Sequence, residues 1–153
     1  MTDSLVDELS AARAAFFVAF EEIAPPQLHA PTLVNDWSAR ELIAHLGYWA
    51  GHAAEVIHAV EDGRTTEVGV GEPSVDERNE TVARVARQAD LATARKREAA
   101  SVQALTERLQ DLDPTLLAER LPDGASLEEG IREDGAAHYH EHADQLRAGL
   151  VRS

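Results

Sequence analysis

An all-α fold, a four-helix bundle, is what this sequence predicts, and three observations predict it. Apolar residues recur at the 3.6-residue period in four long segments. Val and Ile fall at that helical spacing in an Ala-rich background, and the alternation expected of strands is nearly absent. Serine followed three residues later by glutamate, the reciprocal capping pattern of a helix start, stands at Ser38–Glu41 and again at Ser126–Glu129.

The elements follow in order. The first helix is expected from about Ser4 to Ile23, with Leu5, Leu9, Ala12, Phe16, Phe20 and Ile23 on one stripe, until Pro25-Pro26 stops it. Residues Gln27 to Asp36 read as a loop. The second helix starts at the Ser38 cap and runs to about Asp62, before Gly63. The connection from Arg64 to Pro73 has no helical stripe and reads as a possible lid over a site. The third helix reads as one long element from about Ser74 to Leu112, with Val75, Val82, Val85, Ala89, Val102, Leu105 and Leu109 inward. A short helical turn is expected in Thr115 to Arg120, and the last helix runs from the Ser126 cap to about Val151. At 153 residues the chain has the size of a single domain, read here as spanning 1–153, and can bury roughly two thirds of its unfolded surface.

Composition narrows the function. There is no cysteine, so any thiol chemistry must come from a small molecule. A net charge of −14 repels phosphate backbones and anionic lipid, which argues against nucleic-acid and membrane partners. The basic run Arg95-Lys96-Arg97 sits among acids and reads as a solvated face. The polar N-terminus and the lack of any long apolar run predict a cytoplasmic protein.

The chemistry lies in the histidines. His138 and His142 are four apart and share a helix face, whereas His140 points nearly opposite. The pair lies inside the apolar stripe of the last helix, between Ile131 and Leu146. His45 is flanked at helical spacing by Leu42 and Trp49 and also looks inward. His52 shares that face roughly 10 Å further along. One reading is a metal site, in which three neutral imidazoles from two facing helices hold a divalent cation and leave positions open. The other is a set of core histidines hydrogen-bonded to polar neighbours. His29, His58 and His140 read as surface residues. Asn79 and Gln145 lie on inward stripes and are candidate lining residues, as is Trp49. Trp37 reads as an end-packing residue, and Tyr48 and Tyr139 as candidate donors behind the histidines.

Two segments carry a family resemblance. Asp36-Trp-Ser-Ala-Arg-Glu-Leu-Ile-Ala-His45-Leu resembles the second-helix start of the DinB-like superfamily, and His138-Tyr-His-Glu-His142-Ala-Asp-Gln145-Leu resembles its last-helix metal motif. Val75-Asp-Glu-Arg-Asn79 is similar to the branch containing mycothiol-dependent maleylpyruvate isomerase and the ClbS/DfsB-like bundle proteins. The resemblance implies a bundle with a long crossover connection, a divalent metal (zinc or nickel) at His45, His138 and His142, and a homodimer. It also implies a mycothiol- or bacillithiol-type transferase or isomerase acting on a small molecule. No catalytic residue of the chain is assigned by it. The alternative is a metal-free bundle that binds or sequesters a reactive small molecule.

Overall fold

The computed structural model describes residues 2–31 and 33–152, and no strand occurs among them. Helix α1 spans Thr2–Glu21, α2 is the short turn Pro25–Leu28, and α3 spans Ala39–Glu61. Then come α4 (Val75–Ala86), α5 (Leu91–Asp111), α6 (Leu127–Asp134) and α7 (Ala136–Arg152), with single 3₁₀ turns at Thr65–Glu67 and Pro114–Ala118. Helix α1 packs chiefly on α7 and α5, and α3 on α5, α4 and α6. The four long elements therefore form a bundle in which α1 stands diagonal to α3. Helix α4 lies outside the four, against α3.

The core joins all four. The expected stripe of α1 is buried throughout, with Leu5, Leu9, Ala12, Phe16, Phe20 and Ile23 meeting Leu42, Ile43 and Leu46 of α3, Leu105 and Leu109 of α5, and Leu127, Tyr139 and Leu146 of the last helices. Helix α3 starts where the capping pattern places it: the Glu41 carboxylate accepts the Ser38 amide N–H at 2.6 Å. The cap at α6 is reciprocal, Glu129 N–H donating to Ser126 Oγ at 3.1 Å and Ser126 N–H to Glu129 Oε2 at 2.9 Å.

Three expectations change. The long third helix is two helices, broken at residues 87–90, because Asp90 accepts the Thr93 amide at 2.8 Å and starts α5 afresh. Arg87 Nε to Glu41 Oε1 at 3.3 Å and Arg40 Nη1 to the Ala89 carbonyl at 3.3 Å tie that break to the start of α3. Val75 and Val85, expected inward, are about half exposed at 52% and 48%, because α4 covers only one side of α3. The last helix bends at Gly135, whose backbone (φ −108°, ψ −104°) leaves the helical region. A Cβ there would stand 2.9 Å from the Ile131 carbonyl oxygen, so only glycine fits the bend. Smaller differences are the helical turn within the expected Gln27–Asp36 loop and the 3₁₀ geometry of the turn after Pro114.

A buried carboxylate fixes the helix spacing. Glu98 of α5 is 1% exposed and accepts a two-pronged bond from Arg13 of α1, Nε to Oε2 at 2.8 Å and Nη2 to Oε1 at 2.6 Å. The Tyr139 hydroxyl of α7 donates to the same carboxylate. Burial, reinforced by the Glu98 charge, pushes the Tyr139 hydroxyl far above the usual phenol range, so it stays a donor. On the other side Gly47 of α3 lets the helices close, since a Cβ there would stand 2.9 Å from Glu98 Cα. Gly47→Ala is therefore expected to cost about 1–3 kcal/mol in urea unfolding. Gly51→Ala, one turn on, meets only ordinary contact with Ser101 at 3.6 Å and is expected to be neutral or stabilising. Equal effects of the two substitutions would contradict the close-approach account.

Candidate metal centre

The bend at Gly135 and the turn before α3 set the site's two walls. Val34 and Trp37 pair across a tight turn, Val34 N–H to Trp37 O at 3.1 Å and Trp37 N–H to Val34 O at 3.0 Å. Asn35 takes the left-handed conformation that this turn needs, at φ 55°, one that asparagine tolerates better than most residues. The turn lays the Trp37 indole on the His45 imidazole with centroids 4.6 Å apart. Across from it α7 brings in His138 and His142, whose ring centroids lie 4.5 and 5.1 Å from that of His45. One ligand-capable atom from each of His45, His138 and His142 lies within 4.8 Å of the others.

Hydrogen bonds fix which nitrogens are available. His142 Nδ1 meets Gln145 Oε1 at 2.7 Å, and since a carbonyl oxygen only accepts, Nδ1 carries the proton and Nε2 presents its lone pair. His45 Nε2 and His138 Nε2 share one proton at 2.7 Å. Among the described residues, His142 Nε2 is buried without a partner; His45 Nδ1 and His138 Nδ1 have none at hydrogen-bond distance, with the Asn79 side chain close to the first ring and the Asp134 carbonyl close to the second. An unsatisfied buried polar atom costs about 1–3 kcal/mol. Nitrogens gathered around one tetrahedral zinc lie about 3.4 Å apart, a separation that the 4.8 Å cluster can meet. The donor set, three imidazoles with no thiolate, fits a divalent transition-metal ion.

Burial makes the three imidazoles neutral. Removal from water, added to by the charges His138 and His142 would carry, lowers His45 from 6.5 to about 3. Desolvation, and then His142, lowers His138 from 6.5 to about 4, with the Asp134 carbonyl working in the opposite direction. His142 is lowered too, again first by burial, while Gln145 and the Glu141 carboxylate oppose the shift. Neutral imidazole is the form that binds a metal.

The three rings stand at the base of a cavity of about 370 Å³. Trp37, Trp49, Val75 and Asn79 line one side, and Glu133, Asp134, Glu141 and Gln145 the other. Trp49 donates its Nε1–H to Asn79 Oδ1 at 2.9 Å, which attaches α4 to α3, and Arg78 stacks on Trp49 at 4.8 Å. Thus Trp49, Asn79 and Gln145 all reach the cavity wall. His52 stays outside the cluster and meets Asp134 Oδ2 through Nδ1 at 2.9 Å. His29, His58 and His140 are exposed.

Other expectations fall elsewhere. Tyr139 gives its hydroxyl to Glu98 rather than to the histidines, and Tyr48 lines a groove between α3, α4 and α5. The connection from Arg64 to Pro73 borders a separate groove beside His52 and His58 and does not line the histidine cavity. Sequence reasoning missed Trp37 as a wall and Asp134 as the partner of His52. The capping turn before Ser38 was the only signal for the first, and nothing in the local pattern pointed to the second.

The family model for the mycothiol maleylpyruvate isomerase N-terminal domain matches residues 9–143, a span that includes all three histidines. The chain belongs to that family, and so to the DinB-like group of helical bundles. No curated protein and no solved structure matches it. No helix among the described residues is long and apolar enough to cross a membrane.

Two predictions follow from this geometry. Gln145→Ala frees the His142 ring to turn and removes the acceptor that selects its tautomer. It is expected to weaken zinc binding about 10- to 100-fold in a competition titration with a chromogenic chelator, with little change in melting temperature. The histidine shifts also set a pH dependence. Because their folded values lie below 6.5, the unfolded chain takes up protons first as pH falls. The stabilisation is full above pH 6.5 and is lost below it, by on the order of 1 kcal/mol per pH unit for each histidine. Thermal unfolding of metal-free protein should show a melting temperature that drops between pH 6.5 and 5; a flat profile there would contradict the neutral cluster.

Proposed function

We propose that this chain is a divalent-metal protein in which His45, His138 and His142 hold the cation, and that a low-molecular-weight thiol reacts there with a small electrophile, by S-transfer or thiol-assisted isomerisation. The observation that carries this reading is the convergence of one ligand-capable nitrogen from each of the three histidines within 4.8 Å, beside a cavity that all three line. A divalent cation held there would supply Lewis acidity and lower the pKa of a bound thiol, as it does for bound water.

The chain's own residues do the rest. Gln145 selects the His142 tautomer, Trp37 covers His45, and the Trp49–Asn79 bond keeps α4 closed over one flank. The chain has no cysteine, so the attacking sulfur comes from the cosubstrate. Membership in a family described by a mycothiol-using isomerase supports the thiol reading.

A second reading has one observation in its favour. The 2.7 Å contact between His45 and His138 satisfies two ring nitrogens without a cation, as it would in a metal-free bundle that binds a small molecule in the same cavity. Metal analysis separates the two. Untagged protein measured by inductively coupled plasma mass spectrometry is expected to carry about one zinc or nickel per chain, and the folded His138→Ala, His142→Ala variant none. Parent protein that stays empty after incubation with both metals would leave the metal-free reading standing.

A further inference from the structure

The walls around the three histidines carry one sign of charge. Glu133, Asp134 and Glu141 line the cavity, and among the described residues no lysine or arginine does. Arg78 lies against Trp49 and pairs through Nη1 with Glu72 at 3.0 Å, so the two together add no net charge, although its buried Nε has no partner. Asp134 is engaged by His52. Glu133 and Glu141 are exposed at the mouth with no hydrogen-bond partner among the described residues. The acids alone would only be a surface feature. What makes them part of a site is that they share the cavity with His142, which is 5% exposed and keeps Nε2 without a partner.

We infer that the cavity admits uncharged or cationic small molecules and discriminates against carboxylates, with Glu133 and Glu141 setting that preference. This rests on the metal-and-thiol reading for its chemistry and names the class of electrophile that would be used. The electrostatic reasoning is short. Three neutral imidazoles with a divalent cation carry +2, and the three wall carboxylates bring the cup to about −1 before a ligand enters. A thiolate bound there takes it to about −2, so an anionic second substrate is repelled and a neutral or cationic one is not. Low-dielectric walls strengthen this, and two of them are indoles. Maleylpyruvate, named in the family description, is a dicarboxylate and carries the disfavoured sign. A substrate that fits is an uncharged electrophile, such as an epoxide, an alkyl halide or an enone without an acid group. Trp37 and Trp49 supply the apolar contact for its carbon frame.

The molecule carries its own reporter, since these two tryptophans are the chain's full complement and both line the cavity. Quenching of their fluorescence by iodide and by caesium is to be measured on the full chain, zinc-loaded and metal-free, with zinc content determined on the same samples. The parent is compared with Glu133→Gln, Glu141→Gln, a variant at exposed positions, with circular dichroism as the check on its fold. The ratio of the iodide to the caesium quenching constant is expected to rise about threefold or more in the variant. In a second arm, zinc-loaded protein is titrated with N-acetylcysteine amide and with N-acetylcysteine. The amide is expected to bind about tenfold more tightly than the acid in the parent, and the difference to shrink in the variant. Zinc present with no charge preference in either arm would overturn the inference and leave the metal reading intact. Zinc absent overturns the metal reading, while the quenching ratio of the metal-free protein still decides whether the mouth excludes anions.

Discussion

Glu98 lies at 1% exposure between α1, α5 and α7, and a carboxylate so buried must be met by donors on every side or lose its charge. Arg13 supplies two N–H donors from α1 and Tyr139 supplies a hydroxyl from α7. Gly47 gives α3 the room to press against the same turn of α5. These contacts set the distance between α3 and α7. His45 sits two residues before Gly47 and His138 one residue before Tyr139, so the polar knot helps to register the imidazoles that stand beside it in the sequence. Buried ion pairs of this kind add little net stability over a well-packed apolar substitute; this one ties α1, α5 and α7 to a single carboxylate.

The histidine cluster then follows from local rules. An i,i+4 pair on α7 faces one way, the bend at Gly135 aims that face at α3, and the Asn35 turn covers His45 with an indole. Burial, with the neighbouring imidazoles adding to it, keeps the rings neutral, a form useful for a core that takes a cation. A bundle stabilised only by packing would place leucine where three imidazoles now stand.

Most of the fold was legible because periodicity and caps are local signals. The α1 stripe, the Ser38 and Ser126 starts and the inward turn of His45, His138 and His142 all follow from residue spacing along one helix. The break between α4 and α5 was hidden because Val82, Val85 and Ala89 continue the helical pattern across it, and Asp90 looks like any exposed acid until its side chain is seen capping Thr93. Glu98 was hidden for a related reason. Beside Arg95, Lys96 and Arg97 it reads as part of a solvated face, and only the approach of Arg13, 85 positions away, shows otherwise. Asp134 meets a histidine from a distant segment, and Trp37 is folded onto His45 by the turn at Asn35; spacing along one element encodes neither.

The central claim is that three imidazoles from α3 and α7 meet at one cation, and the most direct measurement is X-ray absorption at the zinc edge on protein reconstituted with one equivalent of zinc. The account predicts three imidazole nitrogens at about 2.0–2.1 Å, with the outer-shell scattering that intact rings produce. A first shell of oxygens, or one imidazole alone, would contradict it.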